Sequence, residues 1–130
     1  MQILESRGYD SCGIVSITKD TEGQAQFVLT KFASTNRFGG DCIKRISQVG
    51  ESLHNHCFGI GHTRWATHGD KTDRNAHPHF DHKNRVALVH NGIIGNYYDL
   101  KKRISEEFKI EFKSQTDTEV VAVLIGIHLD

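Results

Sequence analysis

Cysteine, proline, methionine and tryptophan are all scarce in this sequence, and neither sign of charge is in excess. The three cysteines, Cys12, Cys42 and Cys57, form an odd and sparse set. That speaks against a disulfide scaffold and for a reducing, cytoplasmic setting. Pro78 is the only proline, and there are no repeats, low-complexity tracts or linker-like stretches. Sixteen Lys and Arg balance sixteen Asp and Glu, so there is no electrostatic basis for nucleic acid or an anionic membrane as partner. No apolar run is long enough to span a bilayer. The opening residues, Met1 to Arg7, have neither a basic n-region nor a long apolar h-region, so no secretory signal is expected.

What is present suits one soluble domain. A chain of 130 residues can build one core, and 37% hydrophobic with 25% charged residues is an ordinary globular balance. Five of the nine histidines (His62, His68, His77, His79 and His82) fall within twenty-one residues, which directs the search for a site to that segment.

Cys12 to Thr18 reads as a buried strand and Phe27 to Phe32 as its hairpin partner, with Lys19 to Gly23 as the turn. Ile43, Ile46, Val49 and Leu53 recur at helical spacing. Phe58 to His62 reads as a strand, and Arg64 to Lys83 as a long loop with almost no apolar periodicity, of the kind that usually carries function. Arg85 to His90 is expected as a strand with Val86, Leu88 and His90 on one face. Asn96 can cap a helix with Tyr97, Leu100, Ile104 and Phe108 on its apolar face, and Ile110 to Lys113 reads as a short strand. Thr116 and Glu119 are spaced as a capping box before Val120, Val123, Leu124 and Ile127. The first residues read as the end of a helix whose beginning is missing, and both ends are expected to be cut.

The densest polar constellation is Gly61-His62-Thr63-Arg64-Trp65-Ala66-Thr67-His68-Gly69, placed directly after the strand at Cys57 to Ile60. Ligand-competent side chains crowded behind a buried strand suit a pocket for a small charged molecule. The Arg64 guanidinium can grip a carboxylate with two parallel bonds; it can equally be a loop arginine or one half of a structural ion pair. Trp65 can shape the pocket or pack the loop on the core. Thr67 and His68 supply a hydroxyl and an imidazole, for a ligand or for the loop itself. Asn91-Gly92 is the commonest type I′ hairpin pair, yet the chain then runs through Ile93 to Asn96 toward a helix. An Asn amide and a Gly N–H at a strand end can instead stabilise an oxyanion. Asp117, at the start of the last helix, complements the helix dipole and can bind an ammonium group as well. His77, Pro78 and His79 with His82 resemble a metal cluster, but their spacing matches no zinc pattern, so no metal or other cofactor is expected. Cys12-Gly13-Ile14-Val15 looks like the start of an N-terminal-nucleophile enzyme. Cys12 is internal, however, and has no free α-amine, so a small buried residue is its expected role.

These pieces together resemble the class II glutamine amidotransferases. The resembling segments are Glu5 to Ile14, His62 to Gly69, Asn75-Ala76-His77-Pro78-His79, Val89-His90-Asn91-Gly92-Ile93-Ile94 and Ser114-Gln115-Thr116-Asp117-Thr118-Glu119. Within that class the wording of these segments is similar to the glutamine–fructose-6-phosphate aminotransferase (isomerizing) family, over nearly the whole chain and in the same order.

The resemblance implies an α+β fold, a four-layer αββα sandwich of N-terminal-nucleophile hydrolase type. It implies that residues 1–130 are a partial glutaminase domain lacking the first strand and most of the first helix, with no sugar isomerase domain. Arg64 would hold the glutamine α-carboxylate with Thr67 and His68 beside it, Asp117 the α-ammonium, and Trp65 the closing loop. The Asn91 side chain and Gly92 N–H would form the oxyanion hole. Arg7 and Gly8 would sit beside the nucleophile, and His77 and His90 would support the pocket. The family hydrolyses glutamine and passes ammonia to fructose 6-phosphate, making glucosamine 6-phosphate. The partners implied are glutamine or glutamate, a C-terminal sugar-phosphate isomerase domain and further copies of the parent enzyme. The nucleophilic cysteine would precede Met1, so the chain alone is expected to be catalytically incompetent. A module that binds glutamine or glutamate without cleaving it is the alternative.

Overall fold

The computed structural model describes residues 10–36, 39–51, 53 and 56–130. Strand β1 (Ser11–Lys19) turns back into β2 (Ala25–Ala33) in full antiparallel register, from Ser11 opposite Ala33 to Lys19 opposite Ala25. One side chain reinforces the backbone bonds of the turn. Asp20 Oδ1 accepts the backbone N–H groups of Glu22 at 2.9 Å and Gln24 at 2.8 Å, and Gly23 takes φ +81°, which a side chain would strain. Strand β3 (Phe58–Arg64) adds to the other edge of β1, again antiparallel. The order β2-β1-β3 makes β1 central, in keeping with its β-branched composition. β3 is longer than expected, because its ladder continues past His62 to the pair Ser11 and Arg64.

Helix α1 (Asp41–Gly50) covers one face of this sheet. Its Cys42, Ile43 and Ile46 pack on Cys12, with Ile14 and Phe32 at the margin. Burying a side chain such as Ile43 contributes roughly 1.5–3 kcal/mol. Arg45 seals the edge, with its guanidinium 3.9 Å over the Phe32 ring and a bond to the Ala33 carbonyl. The helix start is held by Asp41, whose carboxylate accepts the Thr35 N–H and hydroxyl.

The second half carries a short 3-10 turn (Asp73–Asn75), a two-stranded ladder of β4 (His79–Phe80) and β5 (Ala87–Leu88), and helices α2 (Tyr97–Phe108) and α3 (Thr118–His128). The α3 residues Val120 and Val123 form a second core with Ile104 of α2, flanked by Ile110 and Phe112. α3 also lies against the β4–β5 ladder. That approach requires Gly126, since a Cβ there would stand 2.6 Å from the Asp81 side chain. Asp81 in turn organises the β4–β5 turn, accepting the Val86 N–H at 2.9 Å and the Arg85 guanidinium at 3.1 Å. No helix among the described residues is long and apolar enough to cross a membrane.

The architecture is therefore mixed α+β, with three helices and two small antiparallel sheets among the described residues. Three local expectations differ. The strand expected over Arg85 to His90 is confined to Ala87–Leu88, since Asp81 folds residues 83–86 into its own turn. Ile110 to Lys113 joins no ladder; Ile110 and Phe112 turn onto the α2–α3 core instead. Thr116 and Glu119 form no capping box. Glu119 is buried and accepts the N–H groups of Lys113 and Ser114, Thr116 bonds His79, and Asp117 occupies the N-cap position of α3.

Candidate functional site

β3 delivers Arg64 as its last residue, opposite Ser11. The side chain is only 4% exposed. Its guanidinium donates to the carbonyls of His68, Gly69 (3.2 Å) and Asp70 (3.4 Å), so it organises the loop that follows it. Five N–H donors are more than these three acceptors use. Burial lowers the Arg64 pKa from its ordinary value while Asp10 and Asp117 oppose that shift, and an arginine so placed stays charged. The same loop is pinned at its start by Asp10, whose Oδ2 accepts the Ala66 N–H at 3.0 Å.

Asp117, also 4% exposed, faces this cation from the start of α3. Its side chain makes no cap bond to its own helix. Its Oδ2 accepts the Ile94 N–H at 2.7 Å, which draws the Asn91 to Ile94 segment against α3. Asn91-Gly92 forms no hairpin turn; the chain runs on into α2. Gly92 lies against the His90 ring, where a Cβ would come within 2.7 Å of Nε2.

Behind these groups stands a column of imidazoles. His62 and His77 stack at 4.4 Å between ring centroids, and His79 meets His77 edge-on at 4.8 Å. Burial, with the neighbouring histidines and Arg64, pushes His77 down to about 2. Burial, then Lys31 and Arg64, takes His79 to about 3. Both are neutral near pH 7. His77 Nδ1 accepts the His90 N–H at 3.3 Å, which puts the His77 proton on Nε2. His90 Nδ1 faces the Thr118 hydroxyl at 3.4 Å.

The residues expected from the sequence converge. Arg64, Trp65, Thr67, His68, His77, His90, Asn91, Gly92 and Asp117 all line one cavity of about 410 Å³, together with His62, Thr116 and Thr118. Trp65 is 57% exposed, so it borders the cavity and does not anchor the loop in the core. His62 and His68 each hold a buried Nδ1 with no hydrogen-bond partner among the described residues, as do Ser11 Oγ and His82 Nδ1, which do not line this cavity. Arg7 and Gly8 lie outside the described residues. Sequence reasoning missed Asp10, Gln115 and the stacking of His62; none carries a periodic or spacing signal. A larger hollow of about 1000 Å³ beside β2 is lined by Phe27, Leu29, Phe80 and Lys31. The Lys31 ammonium there is committed to the carbonyls of Arg74, Ala76 and Pro78.

No group of three or more His, Cys, Asp or Glu among the described residues could hold a metal. His82 is drawn away to Asp130, at 3.1 Å. Chemically, the 410 Å³ cavity offers one buried cation, one buried carboxylate and uncharged donors between them. That combination suits a small zwitterion, with its carboxylate on the cation and its ammonium on the anion.

The chain is similar in sequence to known proteins. The glutamine amidotransferase domain family matches residues 11–127. The chain is 44% identical to the glutamine–fructose-6-phosphate aminotransferase [isomerizing] of Fusobacterium nucleatum over 134 residues, covering 97% of this chain and 19% of that protein. The proteins of the same description from Synechocystis sp. and Aquifex aeolicus are 43% and 42% identical, again over 97% of this chain, with 18% and 19% of their own lengths covered. The chain spans about a fifth of the length of the curated relatives it matches.

Proposed function

The chain belongs to the glutamine amidotransferase domain family, and on that premise we propose that its 410 Å³ cavity is the glutamine-holding part of a glutaminase site. The observation that carries this reading is the pair Arg64 and Asp117: opposite charges, both buried, on one small cavity. Arg64 takes the α-carboxylate with Thr67 and His68 beside it, Asp117 takes the α-ammonium, and Trp65 borders the entrance. The side-chain amide of glutamine then points toward Asn91 and Gly92. There the Asn91 amide and the Gly92 N–H receive the oxyanion that forms when a thiolate attacks the amide carbon. The proton given up by the thiol passes to the amide nitrogen, ammonia leaves, a glutamyl thioester remains, and water cleaves it to glutamate and the free thiol. Loss of one such oxyanion donor costs roughly 3–4 kcal/mol of transition-state stabilisation. His77 and His90 support the wall behind these donors, and Arg7 and Gly8 flank the nucleophile.

Cys12 does not supply the thiolate in this reading. It is fully buried under α1 and its thiol is pushed far up by burial and by the adjoining Cys42; thiols in such surroundings are inert. Cys42 is buried too. Cys57 precedes β3, and the first β3 residue that lines the cavity is Gly61, about 13 Å further along the strand. On this reading the nucleophile lies outside these 130 residues, and the 130-residue polypeptide is expected to release no ammonia from glutamine. The relatives' names extend the proposal to a parent enzyme that transfers this ammonia to fructose 6-phosphate; the family resemblance adds a sugar isomerase domain, an oligomeric assembly and a cytoplasmic setting to the proposal. Support for the four-layer αββα sandwich comes from α1 on the three-stranded sheet and α3 on the β4–β5 ladder.

Isothermal titration with L-glutamate tests the site. Saturable binding that Arg64→Ala abolishes is the expected result; unchanged affinity in that variant removes the pocket assignment. A second reading, a glutamine- or glutamate-sensing module, is favoured by a charged cavity whose own chain offers no accessible thiol beside it. The nucleotide sequence around the reading frame separates the two, since the enzyme reading requires an upstream cysteine codon in frame.

A further inference from the structure

Arg64 and Asp117 sit on different elements, one ending β3 and the other opening α3. Something must hold their separation constant if one ligand is to reach both. The bridge is a pair of side-chain amides behind the cavity. Gln115 Oε1 accepts both the Asp70 N–H (3.1 Å) and Asn75 Nδ2 (2.8 Å). Asn75 Oδ1 accepts the Gln115 N–H at 2.9 Å, closing a reciprocal pair. Asn75 Nδ2 also donates to the Asp70 carbonyl, at 2.9 Å, the oxygen that receives Arg64 Nη1. A continuous path of hydrogen bonds thus runs from the Arg64 guanidinium through Asp70 and Asn75 to Gln115, two residues before Asp117.

Asn75 is 1% exposed and Gln115 is exposed, and neither lines the cavity. The contact is tight as well. Gly69 has φ +80°, and a Cβ on it would fall 2.8 Å from both Asn75 Nδ2 and Gln115 Cβ. A reciprocal amide pair transmits position between the elements it joins.

We infer that Asn75 and Gln115 are positioning residues that set the distance between the carboxylate-binding Arg64 and the ammonium-binding Asp117; this rests on the glutamine-site reading above. A ligand that uses both charges feels this spacing, while one that uses only Arg64 does not. Glutamate and glutarate differ in that respect alone, since glutarate lacks the α-ammonium.

The test measures both ligands on the 130-residue chain, glutamate by titration calorimetry and glutarate by competition, with melting midpoints recorded alongside. Gln115→Met removes the shared acceptor at similar volume, and Gln115→Glu keeps it. Gln115→Met is expected to weaken glutamate roughly tenfold or more and glutarate by less than about twofold, while Gln115→Glu retains glutamate binding. Equal losses for the two ligands would mean a general loosening of the loop and would overturn the inference. So would unaltered glutamate affinity in Gln115→Met when the wild type binds. A wild-type chain that binds neither ligand overturns the glutamine-site reading, and this inference with it. Should Gln115→Met not fold, Asn75→Asp removes the donor to Gln115 Oε1 and is judged by the same two-ligand comparison.

Discussion

Asp117 Oδ2 accepts the backbone N–H of Ile94 at 2.7 Å, and this bond joins the start of α3 to the segment carrying Asn91 and Gly92. The residue proposed to hold the ligand's ammonium therefore also places the proposed oxyanion donors. The two roles can be separated chemically, because accepting a backbone N–H needs an oxygen but not a charge.

Asp117→Asn separates them. Its amide oxygen still accepts the Ile94 N–H, so the melting midpoint should stay close to that of the wild type. Glutamate affinity should fall by roughly 1.5–3 kcal/mol, the usual worth of a hydrogen bond to a charged group. Asp117→Ala should lose affinity and stability together. Thermal melts beside titration calorimetry read both quantities, and an Asn variant that binds glutamate like the wild type would remove Asp117 from the ligand.

Acid stability should report the imidazole column. His77 and His79 are held near 2 and 3 in the fold against an unfolded value of 6.5. Above 6.5 both states are neutral and the histidines exert no pH effect. As the pH falls below 6.5 the unfolded chain takes up protons that the fold refuses, so stability declines toward the folded values. Each such histidine removes about 1.4 kcal/mol per pH unit across this window. Asp41 and Asp130, also lowered to about 2, add a loss of the same sign only below the ordinary carboxylate value of 3.8. Urea melts between about pH 6 and pH 4 therefore isolate the histidines. His77→Gln should reduce the slope by one proton; stability independent of pH over this range would show that the imidazoles are solvated.

Asp81 should matter to folding and not to binding. It is 1% exposed, satisfies the Val86 N–H and the Arg85 guanidinium, and does not line the small cavity. Asp81→Ala leaves these donors without their acceptor and should cost about 2–4 kcal/mol, a large share of the stability of a domain this size. Chemical denaturation measures the cost. Glutamate affinity, measured where the variant remains folded, should match the wild type.

Much of the scaffold was legible along the chain. β1, β2, α1, α2 and α3 follow from alternating or helical apolar spacing, and the Asp20 turn from its residues. The sheet ends were less so. Arg85 to His90 looked like a full strand, but the Asp81 carboxylate captured residues 83–86 in a turn. Ile110 to Lys113 alternates like a strand, but its apolar residues found a deeper surface on α2 and α3. Glu119 sits three residues after Thr116, yet it reached back to Lys113 and Ser114.

By itself the sequence determined which residues could form the site. Arg64, Asn91, Gly92 and Asp117 are chemical types at the ends of recognisable elements, and their identity does not depend on packing. Tertiary structure alone decided that they share one cavity, that His77 and His79 are neutral, and that Asn75 and Gln115 link the two charged ends. Desolvation and charge proximity are properties of position in space. A hydrogen bond between residues forty positions apart leaves no local periodicity from which it could be read.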